Sequence, residues 1–175
     1  MLLPTIKSGN ITLKNLKREE VTPDYVDWLR DPIINRFLEV RHTDISLESQ
    51  KAFVESVNMS TDSSLFGIFF EHTEFVGTVK IGNLNKIHKT ADIGILIGRA
   101  SHHGMGIGSG TIKAICESLN DGNLIRKLNA GVISTNLPSL RAFEKNGFLR
   151  EGLRNKQFLG PNGNAEDEIL FGKFL

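Results

Sequence analysis

The pattern of apolar and polar residues along the chain predicts a succession of short strands. From Ile11 to Leu16 the two kinds of residue alternate, which is the period of a strand with one buried face. Apolar runs at 65–71 and 75–81 flank a polar turn and predict a hairpin, and the run 91–98 predicts a third strand of the same meander. The remaining predicted strands are 127–133, 148–159 and 166–174, with the turn-forming segment 160–164 between the last two.

Helix signals interrupt this series of strands. Thr22-Pro23 predicts a helix start, and Asp31-Pro32 predicts a break after which a second short helix begins. Ser46 is the expected N-cap of the next helix. Two more helices are predicted, one that follows a glycine-rich loop and ends near Leu119, and one over 136–147.

Composition is that of an ordinary globular protein. With 175 residues, 39% of them hydrophobic and 23% charged, the chain suits one domain, 1–175, of mixed α+β or α/β class. We expect a sheet of about seven strands flanked by about four helices. A net charge of +1 offers no basic excess for binding nucleic acid. Neither a signal peptide nor an apolar run of about 18 residues stands out, which predicts a cytoplasmic protein without a membrane span.

Cysteine usage adds one constraint. Cys116 is the only cysteine, so no internal disulfide can form, and its position in a helical apolar stripe predicts a core residue. No metal site is predicted. The sequence leaves the oligomeric state open, with a homodimer among the compatible assemblies.

A glycine-rich stretch from His103 to Gly110 follows the last strand of the meander. Its alternate glycines leave backbone N–H groups uncovered where a helix begins, with its unpaired donors and the positive end of its dipole. Such a loop suits phosphate, although glycines that only permit a tight turn are the alternative. A Walker loop would need Lys-Ser or Lys-Thr after the last glycine, but the nearest lysine is Lys113. The spacing of Gly104, Gly106 and Gly108 also differs from the Gly-x-Gly-x-x-Gly of dinucleotide-binding domains.

Two motifs in fixed order resemble those of the GNAT superfamily of acetyltransferases. The glycine-rich stretch resembles the family's acyl-CoA pyrophosphate loop, Gln/Arg-x-x-Gly-x-Gly/Ala, with His103 in place of Gln or Arg. The segment 136–148, Asn-Leu-Pro-Ser-Leu-Arg-Ala-Phe-Glu-Lys-Asn-Gly-Phe, resembles the family's Asn-x-x-Ser-x-x-x-Tyr-Glu-Lys-x-Gly-Phe. The order of predicted elements matches along nearly the whole chain. The amino-terminal half is most similar to the subgroup that contains ribosomal-protein N-terminal and spermidine acetyltransferases.

The resemblance implies a splayed, mixed but mostly antiparallel GNAT-like sheet and a site for acetyl-CoA as the acyl donor. The pantetheine arm is expected to lie along the backbone of 91–98 like an added strand, and Gly94 and Gly98 would leave room for it. The residues that the resemblance assigns to the donor are Ile95, Leu96, Ile97, His103, Gly104, Met105, Gly106, Ile107, Gly108, Ser109, Asn136, Ser139 and Phe143.

Acetyl transfer to an amine requires a base for the amine proton and help for the departing thiolate. Asp92 is the expected base, because it shares a strand face with Gly94 and family members commonly use a carboxylate on this strand; Glu71 is its rival. The family's tyrosine proton donor corresponds to Phe143, which has no proton to give. Ser139, one turn earlier, is therefore the expected donor, with water as the alternative.

The sequence thus predicts an N-acetyltransferase that transfers an acetyl group directly to a primary amine. A small acceptor is favoured, either an amino sugar, free or nucleotide-linked, or a polyamine. Two alternatives stay open: N-terminal acetylation of a ribosomal protein, and a CoA-binding regulatory module without turnover, which Phe143 favours. Arg41, His42 and Glu71 are the candidate acceptor contacts, the first two in a polar connector.

Overall fold

The computed structural model describes residues 4–120 and 123–175, which form one eight-stranded sheet with helices on both faces. The strands are β1 (Ile6–Ser8), β2 (Ile11–Asn15), β3 (Ser64–Phe70), β4 (Glu74–Asn85), β5 (Thr90–Ile97), β6 (Lys127–Ile133), β7 (Leu149–Leu159) and β8 (Ala165–Phe174). The α-helices of the described residues are α1 (Pro23–Arg30), α2 (Pro32–Asn35), α3 (Leu47–Met59), α4 (Ile107–Ser118) and α5 (Leu137–Lys145). None of these helices is long and apolar enough to cross a membrane.

The sheet is mixed and mostly antiparallel, as expected. Its strand order is β1-β2-β3-β4-β5-β6-β8-β7. Every neighbouring pair is antiparallel except β5 and β6, which run parallel because α4 connects them as a crossover. The last strand, β8, lies between β6 and β7.

The parallel pair at the centre of the sheet comes apart soon after it begins. β5 and β6 are paired only at Thr90–Lys127, Ala91–Leu128 and Asp92–Asn129. On its other side, β5 stays paired with β4 as far as Ile97, which lies opposite Gly77. From Ile93 onward, β5 therefore has an edge that no strand of residues 4–120 and 123–175 occupies, and the splayed sheet implied by the resemblance is present.

Two apolar cores hold the helices against the two faces of the sheet. The larger core lies with α4 and α5 and includes Ile112, Ile115, Leu128, Phe143 and Phe171. The smaller core lies with α1 and α3 and includes Leu16, Tyr25, Leu29 and Val54. Each fully buried aliphatic side chain contributes about 1.5–3 kcal/mol. The prediction that Cys116 is a core residue is confirmed, since it is 5% exposed within the larger core.

The predicted helix starts agree with the structure. The Thr22 hydroxyl accepts a hydrogen bond from the N–H of Tyr25 at 3.3 Å and caps α1. The Asp31 carboxylate accepts from the N–H of Ile33 at 2.8 Å and caps α2, so the Asp-Pro break is real. Ser46 accepts from the N–H of Ser49 at 3.1 Å at the start of α3.

Two strand predictions were incomplete. β1 was missed because its residues, Ile6–Ser8, are too few to show an alternating pattern; Gly9, at φ 54°, opens the tight turn to β2. The second strand of the hairpin was predicted to end at residue 81, but β4 continues to Asn85 through a register shift that breaks the alternation. The structure thus has one strand more than expected.

Candidate active site

The glycine-rich loop ends at the amino terminus of α4 and leaves that terminus open. Gly106 is the N-cap at φ 79°, Gly104 has φ 81°, and no side chain caps the helix. A Cβ atom at either glycine would meet no other atom within 4 Å. The first-turn N–H groups of α4 have no helical partners and border open space, which is the geometry of an anion site.

The other residues of the loop differ in which of their groups could contact a ligand. The Nε2–H of His103 donates to the carbonyl oxygen of Ile97 at 2.9 Å, because that oxygen can only accept. The imidazole therefore ties the loop to the end of β5, and a bond to phosphate remains a prediction. Ile107 is 3% exposed, so only its backbone can reach a ligand. Met105 is exposed, and the hydroxyl and carbonyl oxygens of Ser109 accept from the Asn146 amide at 3.0 Å each.

A cavity of about 630 Å³ continues from this loop along the flank of α4. Its lining includes Gly106, Ser109, Lys113, Cys116, Lys145 and Lys173. Three lysines thus border a space that begins at the open helix terminus, together with Glu117, whose carboxylate lies 3.7 Å from the Lys113 ammonium. Burial raises the pKa of the Cys116 thiol, which keeps it protonated at neutral pH.

The space beside Gly94 of β5 is open, whereas the space beside Gly98, which directly follows β5, is filled. A Cβ at Gly94 would meet nothing within 4 Å, so the expected space for a ligand exists there. A Cβ at Gly98 would lie 2.1 Å from ring atoms of Trp28, so this glycine serves packing. Ile95 and Ile97 lie against Gly108 of α4, and Leu96 packs into the smaller core.

Asp92 lies where β5 and β6 part. It occupies the last paired position, opposite Asn129, and its side chain is exposed. The amide nitrogen of Asn83 donates to Oδ2 at 2.8 Å, and that of Asn129 donates to Oδ1 at 3.4 Å. Neither asparagine was expected from the sequence. Asp92 faces away from the larger core, because its neighbours Ala91 and Ile93 belong to that core.

The structure does not bring Glu71 near Asp92. Glu71 lies in the turn after β3 with φ 48°, and its carboxylate accepts from the Asn10 amide at 3.5 Å. β4 begins at Glu74, next to this turn, and its residue opposite Asp92 is Gly82, eight residues further along the strand. Eight strand residues span roughly 26 Å. The role of Glu71 as base or acceptor contact has no support in this arrangement.

The second motif forms the start and middle of α5, on the face of the sheet opposite Asp92. The side-chain oxygen Oδ1 of Asn136 caps the helix by accepting a hydrogen bond from the N–H of Ser139 at 3.3 Å. Ser139 is half-buried in the first turn. Phe143 is 2% exposed, and its ring centroid lies 5.0 Å from that of Phe148 and 6.0 Å from that of Phe171. Phe143 thus belongs to the core, and its contact with a cofactor remains a prediction.

Arg41 joins the polar connector to the carboxyl-terminal hairpin. One guanidinium nitrogen donates to the carbonyl oxygen of Leu159 at 2.5 Å, and another donates to that of Arg36. Its Nε donates to Nε2 of His42 at 3.0 Å. The connector and the end of β7 are therefore linked through one half-buried side chain.

A carboxylate that the sequence did not suggest lies on the same sheet face as Asp92. Glu168 of β8 is 7% exposed, and its Oε2 accepts from Arg154 at 2.9 Å. A Cβ at Gly131 would lie 2.0 Å from its Oε1, so the carboxylate lies directly over β6. Gly131 is two residues beyond Asn129 and shares its face. The only hint in the sequence was a glycine inside an otherwise regular strand.

Comparison with known families agrees with this geometry. The model of the acetyltransferase (GNAT) domain matches residues 10–149, which includes the glycine-rich loop, β5 and the whole motif at 136–148. The chain belongs to the GNAT acetyltransferase family. Its splayed sheet and open α4 terminus are thus features of a GNAT domain.

Individual relatives are similar at lower levels. A probable N-acetyltransferase, YjcK of Bacillus subtilis, is 33% identical over 104 residues, which is 58% of this chain and 56% of the relative. The match therefore spans little more than half of that GNAT protein. Among solved structures, RimL, a ribosomal L7/L12 alpha-N-protein acetyltransferase in complex with coenzyme A, superposes with a TM-score of 0.87 at 19% identity, covering 98% of both chains. Spermidine N-acetyltransferase from Vibrio cholerae, in complex with CoA and spermine, has a TM-score of 0.82 at 20% identity, covering 95% of this chain and 96% of that one.

Proposed function

We propose that this GNAT protein transfers the acetyl group of acetyl-CoA directly to a primary amine. The observation that carries the proposal is the split between β5 and β6, which has the open terminus of α4 at its wide end and Asp92 at its narrow end. A donor in the split and an amine entering from the Asp92 face would meet between them.

The chain offers a site for each part of the donor. The pantetheine arm carries amide groups that can pair with the unoccupied edge of β5 beyond Ile93, beside the open space at Gly94. The pyrophosphate would accept hydrogen bonds from N–H groups of the segment Gly104 to Ser109. The nucleotide end, with its additional phosphate, fits the cavity that contains Lys113, Lys145 and Lys173.

The chemistry requires one new bond, one broken bond and two proton movements. The amine nitrogen bonds to the acetyl carbon while the carbon–sulfur bond breaks. Asp92 accepts the proton that the amine loses, directly or through water. The Ser139 hydroxyl donates a hydrogen bond or its proton to the departing thiolate and regains that proton from water. A thiol has a pKa of about 8.5, so the thiolate needs only modest help at neutral pH.

A small acceptor remains the favoured substrate. The open sheet face carries Asp92 and Glu168 together with Lys127 and Arg154, so charges of both signs are interspersed. A polycation would gain more from a face of one sign. We therefore place an amino sugar, free or nucleotide-linked, ahead of a polyamine.

A second candidate is acetylation of the amino terminus of a ribosomal protein. The similarity of the fold to RimL over nearly the whole chain supports it. A CoA-binding module without turnover is the remaining alternative, supported by the buried phenyl ring of Phe143 at the position of the family's tyrosine.

An acceptor panel distinguishes these functions. Purified protein would be mixed with acetyl-CoA and, separately, glucosamine, a UDP-linked amino sugar, spermidine, and a peptide with the amino terminus of ribosomal protein L7/L12, and release of free CoA thiol would be measured. Turnover with a sugar or spermidine supports the small-molecule proposal, and turnover with the peptide alone replaces it with the second candidate. CoA binding without thiol release from any acceptor would contradict the enzyme assignment.

A further inference from the structure

Two amide side chains from different strands hold the Asp92 carboxylate, one on each oxygen. Asn83 of β4 binds Oδ2 at 2.8 Å, and Asn129 of β6 binds Oδ1 at 3.4 Å. An amide beside a carboxylate presents its NH₂ group, because its oxygen would meet a like charge. β5 lies between the two partner strands, so the carboxylate is fixed from both sides at the point where the sheet opens.

The backbone of β4 is distorted so that Asn83 can reach Asp92. Asp92 pairs with Gly82, and in a regular strand the next residue, Asn83, would point to the opposite face. The register shift between Gly82 and Asn85 and the φ of 55° at Asn83 turn this side chain back to the Asp92 face. Asparagine is among the few residues other than glycine that tolerate this left-handed conformation. The same shift turns Leu84, which is 7% exposed, into the larger core, so the bulge both buries an apolar side chain and brings an amide onto Asp92.

Charged groups on the same sheet face do not replace the amides. Lys80 of β4 pairs with Gly94 and so shares the face of Asp92. Its ammonium lies 5.6 Å from the centroid of the Phe53 ring and 3.8 Å from where a Cβ at Gly82, the residue opposite Asp92, would lie. Lys127 of β6 also shares the face, and Glu151 binds its ammonium at 2.7 Å. Within the described residues, no cation forms an ion pair with Asp92. The direct partners of its carboxylate are thus the asparagines.

We propose that Asn83 is a positioning residue for acetyl transfer, which acts by orienting the Asp92 carboxylate toward the amine, with Asn129 fixing the second oxygen. The inference rests on the proposed role of Asp92 as base. It assigns a function to the β4 bulge, which lies beyond residue 81, where the strand was predicted to end.

Three variants separate the effect of the Asn83 amide from the effect of the left-handed backbone conformation. Asn83→Gly keeps the left-handed conformation without strain and removes the amide, while Asn83→Asp keeps the size and places a second carboxylate beside Asp92. Lys89→Gly is the matched control, since Lys89 has φ 50° in the following turn, and within the described residues no hydrogen bond or ion pair joins its side chain to Asp92. All variants would be assayed with acetyl-CoA and whichever panel amine is acetylated fastest.

We expect Asn83→Gly to lower kcat about tenfold with unchanged KM for acetyl-CoA, since Asp92 keeps one partner. Asn83→Asp should move the acidic limb of the kcat/KM profile upward by about one pH unit, because a nearby like charge disfavours the ionised carboxylate. The titration of the acceptor amine is the same for all variants and cancels in this comparison. Lys89→Gly should match the wild type in both kcat and pH profile.

Asp92→Asn, measured in parallel, separates the role of Asp92 as base from the positioning role of Asn83. A large loss in Asp92→Asn together with wild-type kcat and pH profile in both Asn83 variants would overturn the positioning role and leave the base in place. Full activity in Asp92→Asn would overturn both. A loss in Lys89→Gly equal to that in Asn83→Gly would also overturn the inference, because backbone change alone would then account for it.

Discussion

Substitution of Gly106 by alanine tests whether the glycine-rich loop binds phosphate or only turns the chain. Gly106 is at φ 79°, and its Cβ position is open. An alanine in the left-handed region costs about 1–2 kcal/mol whatever the ligand does. Gly163, in the turn between β7 and β8, is the matched control, because it has φ 77° and an equally open Cβ position.

The two variants should agree in stability and differ in binding. For a chain of this size, a loss of about 1–2 kcal/mol lowers the melting temperature by about 2–8 °C. We expect the melting temperatures of Gly106→Ala and Gly163→Ala to fall by the same amount. In Gly106→Ala, the methyl group would occupy the space beside the open N–H groups of α4, so CoA affinity should fall at least about tenfold, or 1.4 kcal/mol. Gly163→Ala should bind CoA as the wild type does.

The assay is calorimetric titration with CoA at a temperature where both variants are folded, with thermal unfolding followed by circular dichroism. Equal melting temperatures and equal CoA dissociation constants in the two variants would refute the phosphate site. The loop glycines would then serve only the turn, and the pyrophosphate would have to bind elsewhere.

Three further predictions concern the thiolate, the packing and the pH dependence. Ser139→Ala should lower kcat about ten- to a hundredfold with little change in acetyl-CoA affinity, as expected for a contact made mainly in the transition state, and full activity would leave water as the proton source. Gly98→Ala should lower the free energy of unfolding in urea by about 1–3 kcal/mol, because its methyl group would overlap the Trp28 ring. Gly94→Ala is the control and should be nearly neutral, because its Cβ position is open. Equal losses of stability in the two variants would contradict this explanation. Burial raises the pKa of the Cys116 thiol, so as pH rises past about 8.5 the unfolded state loses its proton first and stability declines. Cys116→Ala should lose less stability than the wild type between pH 7.5 and 10, and parallel melting curves would show that this thiol contributes nothing.

Much of the fold follows from local sequence signals. The strand at 127–133 was predicted with the bounds it has, because its apolar residues alternate without interruption. The glycine-rich loop predicted the start of α4, where Gly106 is the N-cap, and the predicted start of the next helix at residue 136 agrees with Asn136 as the N-cap of α5. β4 was cut short, because a bulge removes the alternation that would reveal it.

The site was only partly predictable, because contacts between strands depend on pairings that are distant in sequence. Asp92 could be selected from its strand face and the family motif. Asn129 meets it only because β6 runs parallel to β5 in one register, and Glu168 lies over β6 only because β8 returns to the middle of the sheet. Neither pairing leaves a trace in one sequence, so these side chains could not be selected beforehand.

The central position of β8 also governs when the molecule can finish folding. β1 to β5 pair in chain order, so this part of the sheet can assemble as the polypeptide emerges from the ribosome. β7 pairs with β8 alone, and β6 shares its carboxyl-terminal half only with β8. Until residues 165–174 are synthesised, β7 has no partner strand and β6 has only its three-residue pairing with β5, so both are exposed to chaperones and proteases. A premature stop in this segment would remove an interior strand and leave a nascent chain with two unsatisfied edges.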